Sequence, residues 1–343
     1  MNKPVDQIQR DRFVSELDKN FSVIAAAGSG KTRAITDRIV EIAKSGQARD
    51  WLPELVVVAF TNRAADEMQQ RARAEVLRAQ VSLEVLAAFN RTFFGTIHSF
   101  SVRLLETYGH HVGLPPTFEV ITDDDEIWTQ FVEQQTTIGR SLSEENRSAL
   151  LRHIEARTLM ELGRRADLNL LDPPDRQCPD ADFSAIYSYV AKGSTLQTVP
   201  AYQKELQEAE KIWRQTEDFV RWPVRYSDAK DFVERWREAF GPLRTWLNQA
   251  ALCVAAEVQR DYRAYRIERG LLTYEDQITL ALDLIRHPEI GRKIRLKSFR
   301  VILDEAQDTD PRQFSLLLEL TRPADANGDW LETKQSPPRP GHF

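Results

Sequence analysis

The chain has 343 residues, 42% of them hydrophobic and 29% charged, and its 46 basic and 52 acidic side chains leave a net charge of −6. That balance describes a folded, globular protein and excludes a disordered or fibrous one. Two cysteines, Cys178 and Cys253, exclude a disulfide framework, an iron–sulfur cluster and a four-cysteine zinc site, and they point to a reducing compartment.

The first residues, MNKPVDQIQRDR, hold no apolar stretch of the secretory kind. No run approaches the ~20 apolar residues that span a bilayer, so no membrane association and a cytoplasmic location are expected. The negative net charge does not itself favour a nucleic-acid partner, for which only the field at a groove has to be positive.

Residues 21–27 (FSVIAAA) read as a buried strand entering the tight loop Gly28-Ser29-Gly30. Residues 31–44 (KTRAITDRIVEIAK) follow with helical apolar spacing. A second strand is expected at 55–60 (LVVVAF), running into Thr61-Asn62 as a helix N-cap and then the helix former AADEMQQRARAEVLRAQ. A third strand at 91–95 leads into Thr96-Ile97-His98-Ser99-Phe100. This β-α-β-α order predicts a parallel sheet. Residues 124–268 change character to Glu, Gln, Arg, Leu and Trp at helical periodicity, broken by the loop Asp172-Pro173-Pro174-Asp175. Strand character returns at 299–303 (FRVIL), before Asp304-Glu305-Ala306-Gln307-Asp308. The prolines and glycines after Pro323 read as loop.

Residues 25–32, AAAGSGKT, fit the phosphate-loop pattern G-x-x-x-x-G-K-[ST] with Ala25 in place of the first glycine and Ala26, Ala27 and Ser29 filling the loop. Gly28 and Gly30 let the backbone curl so that its N–H groups face phosphate oxygens. The helix that follows sets its positive end beneath the same anion. Lys31 is suited to the β- and γ-phosphates and the Thr32 hydroxyl to Mg²⁺. The second half of such a site is a carboxylate after a neighbouring apolar strand, and VILDEAQD supplies it. Asp304 would hold the Mg²⁺ shell and Glu305 would orient and activate the attacking water, because positioning and charge stabilisation carry phosphoryl transfer. Lys31 and Asp304 lie near opposite ends of the chain, so a nucleotide domain split by the helical stretch is expected. Its boundaries read as 1–115 and 269–343 for the two parts and 116–268 for the insertion.

The ordered blocks AAAGSGKTR, VVVAFTNRAADEMQQR, GTIHSF, LLTYEDQITLALDLI and VILDEAQDTD resemble the motif series of superfamily 1 DNA helicases of the UvrD/RecB/AddA group. The resemblance implies an α/β fold: a RecA-like parallel sheet flanked by helices, with an inserted, mostly helical subdomain. It implies an ATP- and Mg²⁺-dependent 3′-to-5′ motor on single-stranded DNA, with Gln307 coupling nucleotide to DNA and Arg33 near the base. Gln9, or Gln7 in the neighbouring register, resembles an adenine-reading glutamine. Phe60, Thr61 and Asn62 resemble one DNA-contacting motif, and Thr96, His98 and Ser99 another, with Arg63 where lysine is commoner. Hydroxyls and amides at helix N-termini suit phosphate contacts, and an exposed aromatic suits base stacking; the bland counterparts are a core Phe60 and a simple cap at Thr61.

The family continues into a Gly-Asp-x-x-Gln-Ser segment and a second motor lobe carrying arginine fingers, and nothing here matches either, nor a nuclease motif. The resemblance therefore implies nucleotide binding with weak or absent turnover, and no unwinding, unless a second lobe or partner subunit completes the site. The alternative reading is a non-motor ATP-binding interaction module. A phosphate-loop kinase is a third class, disfavoured by the block order. Trp213, Trp222, Trp236 and Trp246 read as helix–helix core more readily than as a base-stacking platform. The basic run 291–300 (GRKIRLKSFR) reads as a solvated helix end rather than a DNA-facing patch.

Overall fold

Four consecutive apolar residues, three of them β-branched, make Leu55–Val58 a strand buried on both faces, and it becomes β1, the centre of a three-stranded parallel sheet. The computed structural model describes residues 6–25, 28–135, 137–165, 172–184, 187, 199–216 and 237–343. Within them β1 pairs with β2 (Phe93–Gly95) in the register Val56↔Phe93, Val58↔Gly95. On its other side it pairs with β5 (Arg300–Leu303), Leu55 opposite Arg300 and Val58 opposite Leu303. A two-stranded parallel ribbon joins β3 (Glu119–Val120) to β4 (Leu271–Leu272).

The helices in chain order are α1 (Gln7–Ser15), α2 (Lys31–Lys44), α3 (Ala48–Trp51), α4 (Asn62–Arg78), α5 (Leu83–Phe89), α6 (Ile97–Tyr108), α7 (Asp125–Gln134), α8 (Glu144–His153), α9 (Ala156–Arg165), α10 (Val199–Thr216), α11 (Gly241–Glu268), α12 (Tyr274–Arg286), α13 (Pro288–Leu296), α14 (Pro311–Leu320) and α15 (Trp330–Thr333). The protein is thus helix-rich around a small parallel sheet. It divides into two compact units, Met1–Asp123 with Ile267–Phe343, and Asp124–Arg266. The β3–β4 ribbon draws together the points where the first unit's chain leaves and returns, so residues 116–123 lie in the first unit.

In the first unit the strand alternation sorts the core. Val56 and Val58 face α6, α12, α13 and α14 through residues such as Phe100, Leu284 and Leu316. Leu55 and Val57 face α2 and α4 through Ile39, Met68 and Val76. The second unit is helical among its described residues and centres on the long α11, with Trp128, Phe131 and Tyr262 in mutual ring contact. Trp213 and Trp246 are buried there, and their indole N–H groups donate to Asp180 Oδ1 at 2.9 Å and the Arg176 carbonyl at 2.9 Å. Both are core; Trp222 and Trp236 lie outside the described residues.

Three expectations are corrected. Residues 21–25 form no strand: Val23 and Ile24 are exposed, and Ile24 fully so. The edge of β5 that this segment would join is taken by the last residues, with Val301 N donating to the His342 carbonyl at 2.8 Å. Phe21 N reaches only the Phe343 carbonyl, at 3.3 Å. The basic run 291–300 is not uniformly solvated. Arg295 is buried and donates to the carbonyls of Ile285 and Ala326, each at 2.9 Å. Arg300 is buried with its guanidinium 3.6 Å from the centre of the Trp51 ring. Backbone carbonyls accept from the Nη groups of both guanidiniums, which makes their burial tolerable, although Arg295 Nε is left without a partner.

The segment after Pro323 is not free loop either. Arg322 has no solvent exposure, and all five of its N–H donors are used. Nη1 meets both Glu319 oxygens, at 2.8 and 2.6 Å, and the Gly328 carbonyl at 2.6 Å. Nη2 donates to the Asn327 and Gln335 carbonyls, both at 3.0 Å, and Nε to Ser336 at 2.9 Å. Arg322→Met strands the buried Glu319 charge and is expected to cost about 3–5 kcal/mol in urea unfolding. The double variant Glu319→Leu/Arg322→Met should recover part of that loss, since no lone charge is then left inside.

Candidate nucleotide site

Gly28 and Gly30 both have positive φ, +74° and +89°, which only glycine adopts without strain. Gly30 is the N-cap of α2, so the loop turns straight into the helix that carries Lys31 and Thr32 in its first turn. Ala25 precedes the loop, while Ala26 and Ala27 lie outside the described residues. Ser29 Oγ is buried with no hydrogen-bond partner. An orphaned hydroxyl inside a loop of this geometry fits an anion that supplies the missing partner.

Across from it, β5 ends at Leu303 and Asp304 N donates to the Val58 carbonyl at 2.9 Å, which fixes Asp304 to the carboxyl end of the sheet. Glu305 then takes a left-handed conformation, φ +52° and ψ +48°, unusual for a side chain with a Cβ. That turn aims its carboxylate at Lys31: Nζ lies 3.2 Å from each carboxylate oxygen. Gln307 donates to the same carboxylate. The hydrogen bond from Gln307, then that from Lys31, holds Glu305 below the usual carboxylate range. Asp304 goes the other way. Burial, and next the charge of Glu305, pushes its carboxyl up. Lys31 bonds Glu305 and only partly offsets this from a distance, so Asp304 is a half-buried acid of the kind that can serve a divalent cation.

Ala25, Lys31, Asp304, Glu305 and Gln307 line one cavity of about 760 Å³ in the first unit, with Phe13 and Phe21 among its apolar walls. That volume accommodates a nucleotide. Gln9, Gly28, Ser29, Gly30, Thr32 and Arg33 are not among the residues that line it. Gln9 is exposed on α1, and the rival Gln7 is tied to Asp11 at 2.7 Å. The Arg33 side chain is 87% exposed and faces Asp37, because each helical residue turns about 100° from its neighbour.

Two arginines unremarked in the sequence stand beside this region, and one of them fastens it. Arg38 is buried on α2 and donates to the carbonyls of Phe13, Glu16 and Lys19, which fastens the segment leading into the loop. Its signal was legible: a cation on the stripe of Ile35, Ile39 and Ile42. Arg10 Nη1 lies 3.3 Å from where a Cβ on Gly30 would sit, and its Nε is buried and without a partner. Nothing in QIQRDRFV marks it out.

The loops after β1 and β2 leave the same carboxyl end of the sheet, with Ala59 N bonded to the Gly95 carbonyl at 3.0 Å. Thr61 caps α4 by accepting from Ala64 N at 3.1 Å, and Thr96 caps α6 by accepting from Ser99 N at 3.2 Å. Phe60 is 67% exposed, which removes the core alternative for it. Asn62 and Ser99 are exposed at the two helix starts. His98 is half-buried, its ring edge-to-face with Tyr274 at 5.3 Å. Burial lowers its pKa, against the pull of Asp310.

The profile of the UvrD/REP helicase N-terminal domain matches residues 5–326. A stretch of 129 residues is 33% identical to the AddA component of the ATP-dependent helicase/nuclease of Ligilactobacillus salivarius, covering 34% of this chain and 10% of that protein. A stretch of 108 residues is 38% identical to the protein of the same name from Clostridium perfringens, covering 29% and 8%. Over 219 residues the chain is 26% identical to the ATP-dependent DNA helicase PcrA of Leuconostoc citreum, covering 64% of the chain and 25% of the helicase. The matched region therefore spans a quarter or less of each of these relatives.

Proposed function

The chain belongs to the UvrD/REP helicase family, and from that premise we propose that its first unit is the RecA-like ATP-binding lobe of an ATP-dependent DNA helicase acting 3′ to 5′ on single-stranded DNA. Residues 1–123 and 267–343 are the two parts of that lobe and 124–266 the helical insertion, in place of the 1–115, 269–343 and 116–268 expected from the sequence. The reading rests on one observation above the rest: Lys31 and Glu305, 274 positions apart, meet at 3.2 Å in a cavity of nucleotide size.

The loop from Ala25 to Thr32 binds the triphosphate, with Lys31 on its outer phosphates. Thr32 and Asp304 hold Mg²⁺, which when bound neutralises charge on the phosphates. Glu305 accepts the proton of the attacking water, and Gln307, bonded to Glu305, links that carboxylate to the rest of the site. Phe60, Thr61, Asn62, Thr96, His98 and Ser99 take the DNA strand at the carboxyl end of the sheet. A neutral His98 offers both a donor and an acceptor there. The matched profile is that of an N-terminal domain, so a second lobe or a partner subunit supplies the arginine worth about 10³–10⁵ in rate. The 343 residues alone are expected to bind ATP, turn it over slowly and unwind nothing. No described helix is long and apolar enough to cross a membrane, and we place the protein with DNA in the cytoplasm.

The test has two arms. A fluorescent ATP analogue should bind only weakly without Mg²⁺ and tightly with it. A labelled oligothymidylate should bind the wild type, and Phe60→Ala should weaken that binding by about 1–3 kcal/mol, the worth of one stacked base, with ATP affinity unchanged. No binding of the analogue at millimolar concentration would overturn the nucleotide reading. Equal DNA affinity in Phe60→Ala would remove Phe60 from the DNA contacts.

A further inference from the structure

The three strands of the sheet run parallel, so the turns that precede them gather at the end opposite Asp304 and Glu305. Glu54 immediately precedes β1, Arg91 lies two residues before β2, and Lys297 lies three residues before β5. The buried Thr92 hydroxyl donates to the Leu52 carbonyl at 2.7 Å and ties the turn carrying Arg91 to the turn carrying Glu54. Arg103 reaches the same place from α6. These residues line a cavity of about 460 Å³, within the first unit and separate from the nucleotide cavity. Strands of four residues separate the two ends by about 13 Å.

The charges in this basin do not balance. Lys297, Arg103 and Arg91 all act electrostatically on Glu54, the carboxylate among them. Burial nevertheless pushes Glu54 above the usual carboxylate range, so it is a poor counter-ion. None of the three cations forms an ion pair with a described carboxylate. Two are steadied by rings instead: Arg103 lies 5.9 Å from the centre of Phe93, and Lys297 lies 5.9 Å from that of Tyr108. The three cations are exposed at the rim of the cavity, and an anion seated among them would relieve their mutual repulsion. The volume lies within the range of small-ligand sites.

The geometry points to a second anion site here, in which Arg91, Arg103 and Lys297 bind a phosphate group, either free or in a nucleic-acid backbone. Guanidinium forks match phosphate oxygens two at a time, and the ammonium adds a third direction of approach. Glu54 works against the ligand and sets its affinity. The site makes no use of the phosphate loop and stands whether or not that loop binds ATP.

The experiment measures inorganic pyrophosphate binding by calorimetry in Lys31→Ala, where the phosphate loop is disabled. One binding event is expected. Adding Arg103→Gln and Lys297→Gln should weaken it by about tenfold or more, while the same pair of substitutions in the wild type leaves Mg-ATP affinity and melting temperature unchanged. Glu54→Gln should tighten pyrophosphate binding several-fold, a gain that a merely structural carboxylate would not give. A short oligothymidylate is the second probe. Competition with pyrophosphate, lost in the Arg103→Gln/Lys297→Gln pair, identifies a nucleic-acid backbone as the ligand; its absence, with pyrophosphate still bound, identifies a free phosphate. Pyrophosphate binding that ignores the pair, or that weakens in Glu54→Gln, overturns the site.

Discussion

Lys31→Ala should reduce Mg-ATP affinity by about ten- to a hundredfold, read by titration of a fluorescent ATP analogue. The ammonium is the only described cation bonded to Glu305, and it stands where α2 begins, beneath the loop turned by Gly28 and Gly30. When a triphosphate enters, the same group exchanges a carboxylate for phosphate oxygens, and a charge-assisted hydrogen bond of this kind contributes about 1.5–3 kcal/mol. The fold should hold, because the Lys31–Glu305 pair is partly exposed and such pairs add little stability. Melting temperature is therefore the control. A second consequence follows from Glu305, whose carboxyl is held low by Gln307 and then by Lys31. In Lys31→Ala the second of these bonds is gone and the Glu305 pKa should rise toward the ordinary value. An affinity equal to wild type would refute the assignment of the phosphate loop.

Glu305→Gln is expected to leave ATP binding intact and to lower hydrolysis by about 10²–10⁴-fold, the span that a positioned general base supplies. Single-turnover measurements with protein in excess read even a slow step. The substitution keeps the side-chain shape and the left-handed backbone at φ +52°, so it removes the carboxylate without relieving the strained turn that aims it. A glutamine also no longer neutralises Lys31, and ATP affinity should rise slightly, opposite in sign to Lys31→Ala. That pair of outcomes separates base from binder. Hydrolysis undiminished in Glu305→Gln would mean that another group takes the proton.

The turn from Gly28 and Gly30 into α2 was legible because residue types at fixed spacing dictate it. Two glycines, a lysine and a threonine in eight residues demand a turn into a helix, and Gly28, Gly30 and α2 supply one. Asp304-Glu305 after an apolar strand was legible in the same way. Leu55–Val58 was legible from its unbroken apolar run, and α4 and α6 from the threonines that cap them. Residues 21–25 were not, since an apolar run states a preference for burial without naming a neighbour. The β5 edge is bonded instead to His342, far along the chain. The basic run 291–300 failed for a related reason. Charge predicts solvent on average, yet Arg295 and Arg300 are buried because carbonyls from Ile285, Ala326 and Gly341 meet them.

By itself the sequence determined which residue types suited to phosphate chemistry are present and in what order they occur, because side-chain chemistry and short spacings are local properties. Only the tertiary structure decided that Lys31 bonds Glu305 rather than Asp304, that Arg33 faces away, and that Arg91, Arg103 and Lys297 crowd around Glu54. Those outcomes depend on strand register and helix rotation, which are fixed by packing between residues that the linear order keeps far apart.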